Sequence, residues 1–123
     1  MNIFTGIKYH KLPIYPPAIL FCMGSITEDI NAYVSEYIGN EHVSQIPVDS
    51  FSDSNRGHTI FLEDANTIIV WIHKDSVNDF SIIAHECFHA VEYVMEHCGI
   101  IHSGDSSEAF AYLLSHVIKQ IMK

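Results

Sequence analysis

The stretch Ser81-Ile-Ile-Ala-His85-Glu86-Cys87-Phe88-His89-Ala-Val91 decides how the rest of this 123-residue chain is interpreted. Apolar residues recur in and around it at helical spacing, which predicts an amphipathic helix from about residue 77 to residue 98. Residues four positions apart lie above one another on a helix, so His85 and His89 present two imidazoles on one face. Glu86 lies about a quarter turn away from them.

The two sides of this helix differ in chemistry. The predicted core side consists of Phe80, Ala84, Cys87, Phe88, Val91, Met95 and Cys98. The other side carries Ser81, His85, His89, Glu92 and Glu96. Two histidines and a glutamate in the order His-Glu-x-x-His are typical of a helix that binds zinc and holds a water on the metal. Glu92 and Glu96 either accept hydrogen bonds from the ligand histidines or belong to an ordinary solvated face.

A third metal ligand is needed, because a catalytic zinc takes three protein ligands and leaves one position for water. The downstream candidates are His97, His102, Asp105, Glu108 and His116. His97 lies eight residues beyond His89 on the same helix, too far along the axis to share an ion. If the last helix simply ran antiparallel, His116 would lie beside the ligands, whereas an extended loop 99–105 could bring Glu108 there first. Glu108, His116 and Asp105 all remain open.

The motif His85-Glu-x-x-His89, followed by Ser107-Glu108-Ala-Phe-Ala, resembles the gluzincin branch of the zincin-like metallopeptidases. It is most similar to the short, single-domain zincin-like proteins of phages and prophages, over about residues 59–118. The resemblance implies that His85, His89 and Glu108 bind one Zn²⁺ per chain and that Glu86 is the general base of a peptidase. It also implies that strand 67–72 is the edge strand that pairs with an extended peptide substrate.

Two features depart from the gluzincin pattern. The residue that stabilises the oxyanion is not identified, and Tyr93, Tyr112 and His116 are its candidates. The 123 residues also do not include the second lobe that forms the far wall of a gluzincin cleft. A partner chain that completes the cleft is therefore one expectation. A zinc-binding regulatory or interaction module without peptidase activity is the alternative function.

The rest of the pattern predicts one α+β domain over residues 1–123. Its mixed or mostly antiparallel sheet packs against the motif helix, with one helix before and one after. The predicted strands are an edge strand within residues 3–12, then 18–22, a weak candidate at 43–48, and 59–62 and 67–72, the last two joined by a turn at 64–66. Helix starts are expected at the capping box Ser25-x-x-Glu28, at Asp75-Ser76 and at about Ser106. Gly39-Asn40 and Gly99 are expected to end the first two helices.

The composition limits the cellular compartments and the classes of partner that are expected. The chain carries six Lys plus Arg against fifteen Asp plus Glu, a formal charge of −9, and no basic cluster, which argues against a nucleic-acid partner. Three cysteines without a Cys-x-x-Cys pattern favour the reducing cytoplasm over a disulfide framework. No apolar run is long enough to span a bilayer, so no membrane partner is expected. Pro16 and Pro17 interrupt the apolar run 14–23, which argues against a signal peptide.

Overall fold

A four-stranded mixed sheet positions the other elements of the computed structural model, which describes residues 2–122. Its strands are β1 (Gly6–Lys11), β2 (Ala18–Met23), β3 (Gly57–Leu62) and β4 (Thr67–Ile72). Their order across the sheet is β1-β2-β4-β3. The central strands β2 and β4 are parallel, and each pairs with its outer neighbour in an antiparallel ladder. The predicted α+β class with a mixed sheet is confirmed.

Helical layers cover both faces of the sheet, and the central strands are buried along their whole length. Side chains alternate between the faces of a strand, so each central strand feeds two cores. One core takes Ile19, Phe21, Met23, Ile68, Val70 and Ile72. The other takes Leu20, Cys22, Ile69 and Trp71. A continuous apolar run is what a strand covered on both faces requires.

The expectation that strand 67–72 lies at the edge of the sheet is wrong. β4 is interior because β2 pairs with it in parallel, with Ala18 opposite Thr67. The edges are β1, as expected for the first strand, and β3. β3 is the edge that contacts the motif helix.

The first helix differs from its prediction at its start, whereas its helical path ends at Gly39, as predicted. α1 (Thr27–Tyr33) begins after Ile26, whose side chain cannot accept a hydrogen bond, so the capping box at Ser25 is not formed. The helical path continues as a π-helical turn over Val34–Gly39. The weak strand predicted at 43–48 is wrong, since Asn40–Gln45 forms a 3₁₀ helix.

The motif helix is α2 (Phe80–His97), and it begins later than predicted. Asp79 is its N-cap and accepts a hydrogen bond from the Ser81 N–H, while residues 74–76 form a separate 3₁₀ turn. The buried face is also rotated from the predicted one, because α2 packs against β3, β4 and α3 together. Its members are Ile83, Glu86, Cys87, Ala90, Val91, Val94 and Met95. Phe80 and Cys98 are exposed instead.

The last helix, α3 (Ser107–Ile121), packs beside α2 and is hydrogen-bonded to β1 at Lys8 and His10. The Phe4 N–H donates to the Ile121 carbonyl and the Lys8 ammonium to the Gln120 carbonyl, so α3 runs antiparallel to β1. β1 and β3 point the same way across the sheet, and α2 runs along β3 in that direction. α2 and α3 are therefore antiparallel, and α3 begins where α2 ends. No helix within residues 2–122 is long and apolar enough to cross a membrane.

Candidate metal centre

His85 and His89 lie on the solvent face of α2, opposite its buried face. Their Nε2 atoms are 3.1 Å apart, and the ring planes are at 83°. Zinc–nitrogen bonds of about 2.0–2.1 Å in a tetrahedron place two ligand nitrogens about 3.4 Å from each other. The histidine pair therefore fits two vertices of a tetrahedral site after a shift of a few tenths of an ångström.

Glu92 orients the second histidine of this pair. Its Oε1 lies 2.9 Å from Nδ1 of His89. A carboxylate only accepts, so Nδ1 carries the proton and the neutral ring keeps a lone pair on Nε2. Nε2 of His85 lies 3.1 Å away, so in a pair of neutral rings it is the donor to this lone pair. Both rings would present a lone pair to a metal ion if the His85 proton moved to Nδ1. The carboxylate–histidine contact is the kind that fixes ligand histidines.

Glu86 does not share the solvent face with the histidines. It is buried between α2 and β3, with only 7% of its surface exposed. Its Oε1 accepts a 2.6 Å hydrogen bond from the Thr59 hydroxyl, which also lies 3.0 Å from the Glu86 backbone carbonyl. A Cβ atom at Gly57 would lie 2.8 Å from Cγ of Glu86, so β3 leaves room for no side chain there.

The sequence reasoning missed Thr59 and Gly57 as neighbours of the site. Only their spacing hinted at it, since residues two apart on a strand face the same way. Thr59 and Glu86 are 27 positions apart, and no local pattern joins them.

Glu108 is exposed in the first turn of α3. Because α3 runs antiparallel to α2, this turn lies at the far end of α2, and the rise from His89 to His97 alone is about 12 Å. Within residues 2–122 no group of three or more His, Cys, Asp or Glu side chains is arranged to hold a metal ion. The structure thus does not gather Glu108 or the exposed Asp105 with the histidine pair. The ligand role of Glu108 stays a prediction.

His116 faces a different partner. Its Nε2 lies 2.9 Å from Nε2 of His10 on β1. Burial lowers the pKa of His10, and the neighbouring His116 and Lys8 lower it further. Of the two remaining histidine candidates, His102 packs on the ring of Phe110. His97 contacts Phe61 edge to face.

The cysteines and the two tyrosine candidates for oxyanion stabilisation differ in burial and in contacts. Cys87 is fully buried, and burial raises the pKa of its thiol to about 12, as expected of a core residue rather than a metal thiolate. Burial raises the pKa of Cys22 as well. Tyr112 is 72% exposed on α3, and Tyr93 packs on Phe61.

Comparison with known proteins finds no matching family model, no curated protein that matches the chain and no solved structure that matches it.

Proposed function

We propose that the chain is a zinc-dependent peptidase of zincin-like fold, in which His85 and His89 bind one Zn²⁺ and Glu86 is the general base. The observation that carries this proposal is the convergence of the two Nε2 atoms to 3.1 Å on a helix whose intervening glutamate lies beside an edge strand. When bound, zinc polarises a carbonyl and lowers the pKa of the water that it binds. Carboxylate–histidine contacts of the His89–Glu92 kind accompany metal-binding histidines in general.

The surroundings of Glu86 suit a general base. The Thr59 hydroxyl donates a hydrogen bond to one carboxylate oxygen of Glu86, Oε1, and so restrains the glutamate side chain to one orientation. Within residues 2–122 the other oxygen, Oε2, accepts no hydrogen bond and is not among the buried polar atoms sealed from solvent. Oε2 is therefore free to take a proton from a water molecule and return it to a leaving amine.

β3 is the strand that we propose to bind the substrate. Among residues 2–122 no further strand pairs with its outer edge, so the backbone N–H and C=O groups of that edge can pair with an extended peptide. Since Glu86 contacts Thr59 on this strand, a peptide bound there passes close to the proposed base. This assignment replaces strand 67–72, which is interior.

Glu108, in the first turn of α3, is the third ligand that the resemblance implies. Glu108 completes a gluzincin set only if the first turn of α3 moves along α2 towards His89. Without that movement the two histidines bind zinc with water or with a side chain from a partner chain. The free thiols of Cys22, Cys87 and Cys98 are in keeping with the proposed cytoplasmic location.

The alternative function is a zinc-binding regulatory or interaction module without peptidase activity. One observation favours it: no third ligand joins the histidine pair within residues 2–122.

The variant Glu86→Gln tests the peptidase proposal. We expect it to keep one zinc per chain and to lower the hydrolysis of a library of internally quenched peptides by about 10²–10⁴-fold, the usual contribution of a general base. Glu36→Gln, an exposed residue of the π-helical turn after α1, is the control and should hydrolyse peptides like the wild type. Full activity of Glu86→Gln would refute the role of Glu86. A zinc-loaded wild type that cleaves no peptide would favour the module.

A further inference from the structure

A cavity of about 240 Å³ opens beside the edge strand, at the end of β3 away from Gly57. It is lined by Phe61, Glu63, Tyr93, Glu96 and His97, and we call it the β3 cavity. Phe61 is two residues beyond Thr59 on the same face of the strand. Tyr93 is seven residues, about two helical turns, beyond Glu86 on α2. The β3 cavity therefore lies in line with the proposed base, further along the same edge.

Aromatic rings form the apolar part of this cavity. The Phe61 ring packs at 5.8 Å from Tyr93 and at 5.6 Å from His97 between centroids. Phe61 and Tyr93 are half-buried, so part of each ring stays accessible. Aromatic faces attract cations, and a planar guanidinium stacks on them especially well.

Two carboxylates border the rings. Glu63 follows directly after β3, Glu96 lies in the last turn of α2, and both are exposed. No ion pair among residues 2–122 involves either of them. α2 itself contains no Lys or Arg, and the chain carries a formal charge of −9. The negative charge at the β3 cavity is therefore not neutralised by the protein.

We propose that the β3 cavity binds the cationic side chain of a lysine or an arginine in an extended peptide that pairs with β3. The alkyl stem of such a side chain would contact the rings, and its head group would reach the two carboxylates. Alternate side chains of an extended peptide are about 7 Å apart. The cationic residue therefore lies at least two positions from the bond next to Glu86. The inference rests on the proposed function only in taking the substrate to be a peptide along β3.

The test compares binding of two peptides to metal-free protein, so that it needs neither zinc nor turnover. The probes are a capped hexapeptide with one central arginine and the same peptide with citrulline, which keeps the shape but has no charge. At a pH of about 8, above the range in which imidazoles ordinarily titrate, we expect the arginine peptide to bind about 5–10-fold tighter. The measurement is isothermal titration calorimetry.

A double variant locates the effect. Glu63→Gln with Glu96→Gln should reduce the preference for arginine to less than about 2-fold, because the charged partners are gone. Glu28→Gln with Glu36→Gln removes the same charge from the opposite side of the sheet and should keep the full preference. Equal binding of the two peptides to the wild type would overturn the proposal. So would an unchanged preference in the Glu63/Glu96 variant. Either result leaves the zinc and hydrolysis measurements untouched, so the two proposals fail separately.

Discussion

Two pairs of histidines bring their Nε2 atoms to nearly the same distance in this protein. His85 and His89 approach to 3.1 Å on one face of α2, and His10 and His116 approach to 2.9 Å between β1 and α3. Their surroundings differ. The Glu92 carboxylate lies 2.9 Å from Nδ1 of His89. At the other pair, burial lowers the pKa of His10, and His116 and Lys8 lower it further.

Two close imidazoles do not by themselves define a metal site, because the groups around the rings also affect the affinity for a metal ion. A carboxylate behind the ring raises the basicity of a ligand histidine and fixes its tautomer. The positive charge of Lys8, which lowers the pKa of His10, also disfavours a metal cation there. We therefore propose the exposed pair on α2 as the zinc site and treat the His10–His116 pair as a hydrogen bond between β1 and α3.

Alanine substitution of the histidines in each pair tests most directly which pair binds zinc. We expect His85→Ala and His89→Ala each to weaken zinc binding by more than about 100-fold, beyond the loss caused by removing a supporting partner. His10→Ala and His116→Ala should change the zinc affinity by less than about 3-fold, because neither side chain lies in the proposed site. Competition titration with a zinc indicator measures all four. An equal loss at His10 or His116 would mean that the wrong pair has been assigned.

A smaller effect is expected from the carboxylate that supports His89. Glu92→Ala should weaken zinc binding by about 10-fold, the lower end of the range for such partners. Glu108→Ala should have less effect than Glu92→Ala, because α3 begins at the far end of α2. The same titration, with Glu96→Ala as the control on the helix face, ranks them. The reverse ranking would show that Glu108 is a ligand and that α3 moves on binding.

The smallest effect concerns the pH dependence of stability at the other pair. The pKa of His10 is lower in the folded chain than its usual value, so the unfolded chain takes up the proton more readily. The contribution of His10 is present above a pH of about 6.5 and is lost as the pH falls through the folded pKa.

We therefore expect metal-free His10→Gln to lose less stability than the wild type between pH values of about 7.5 and 5.5. The difference should be no more than a few degrees in Tm. Thermal unfolding followed by circular dichroism measures it. A wild type and variant with the same pH dependence would remove His10 as a titrating group in folding.

Much of the fold can be predicted from local patterns. β4 has the predicted bounds because a β-branched run follows Asn66, which adopts a left-handed conformation at the end of the turn. The pairing of β2 with β4 is not local, since a parallel ladder joins segments far apart in the chain. For that reason the edge strand was misplaced. The buried face of α2 was also misjudged, because apolar residues such as Ile83 and Val94 lie beside the predicted stripe.

The candidate site also has one part that local patterns predict and another that they do not. The approach of His85 to His89 follows from helical spacing alone and could be predicted. The hydrogen bond from Thr59 to Glu86 depends on how α2 lies across β3, which no spacing within the motif reveals. The direction of α3 depends on the short connection after α2. There Gly99 adopts a positive φ of 73° and the Ile100 N–H bonds back to the Met95 carbonyl, so the chain turns straight back.

Zinc content after loading and exhaustive dialysis is the most direct test of the central claim, that His85 and His89 form a zinc site. Elemental analysis should find one zinc per chain in the wild type and almost none in the His85→Ala/His89→Ala double variant. Circular dichroism of the metal-free forms would establish that both proteins are folded. A wild type that retains no zinc, or a double variant that retains as much as the wild type, would contradict the claim.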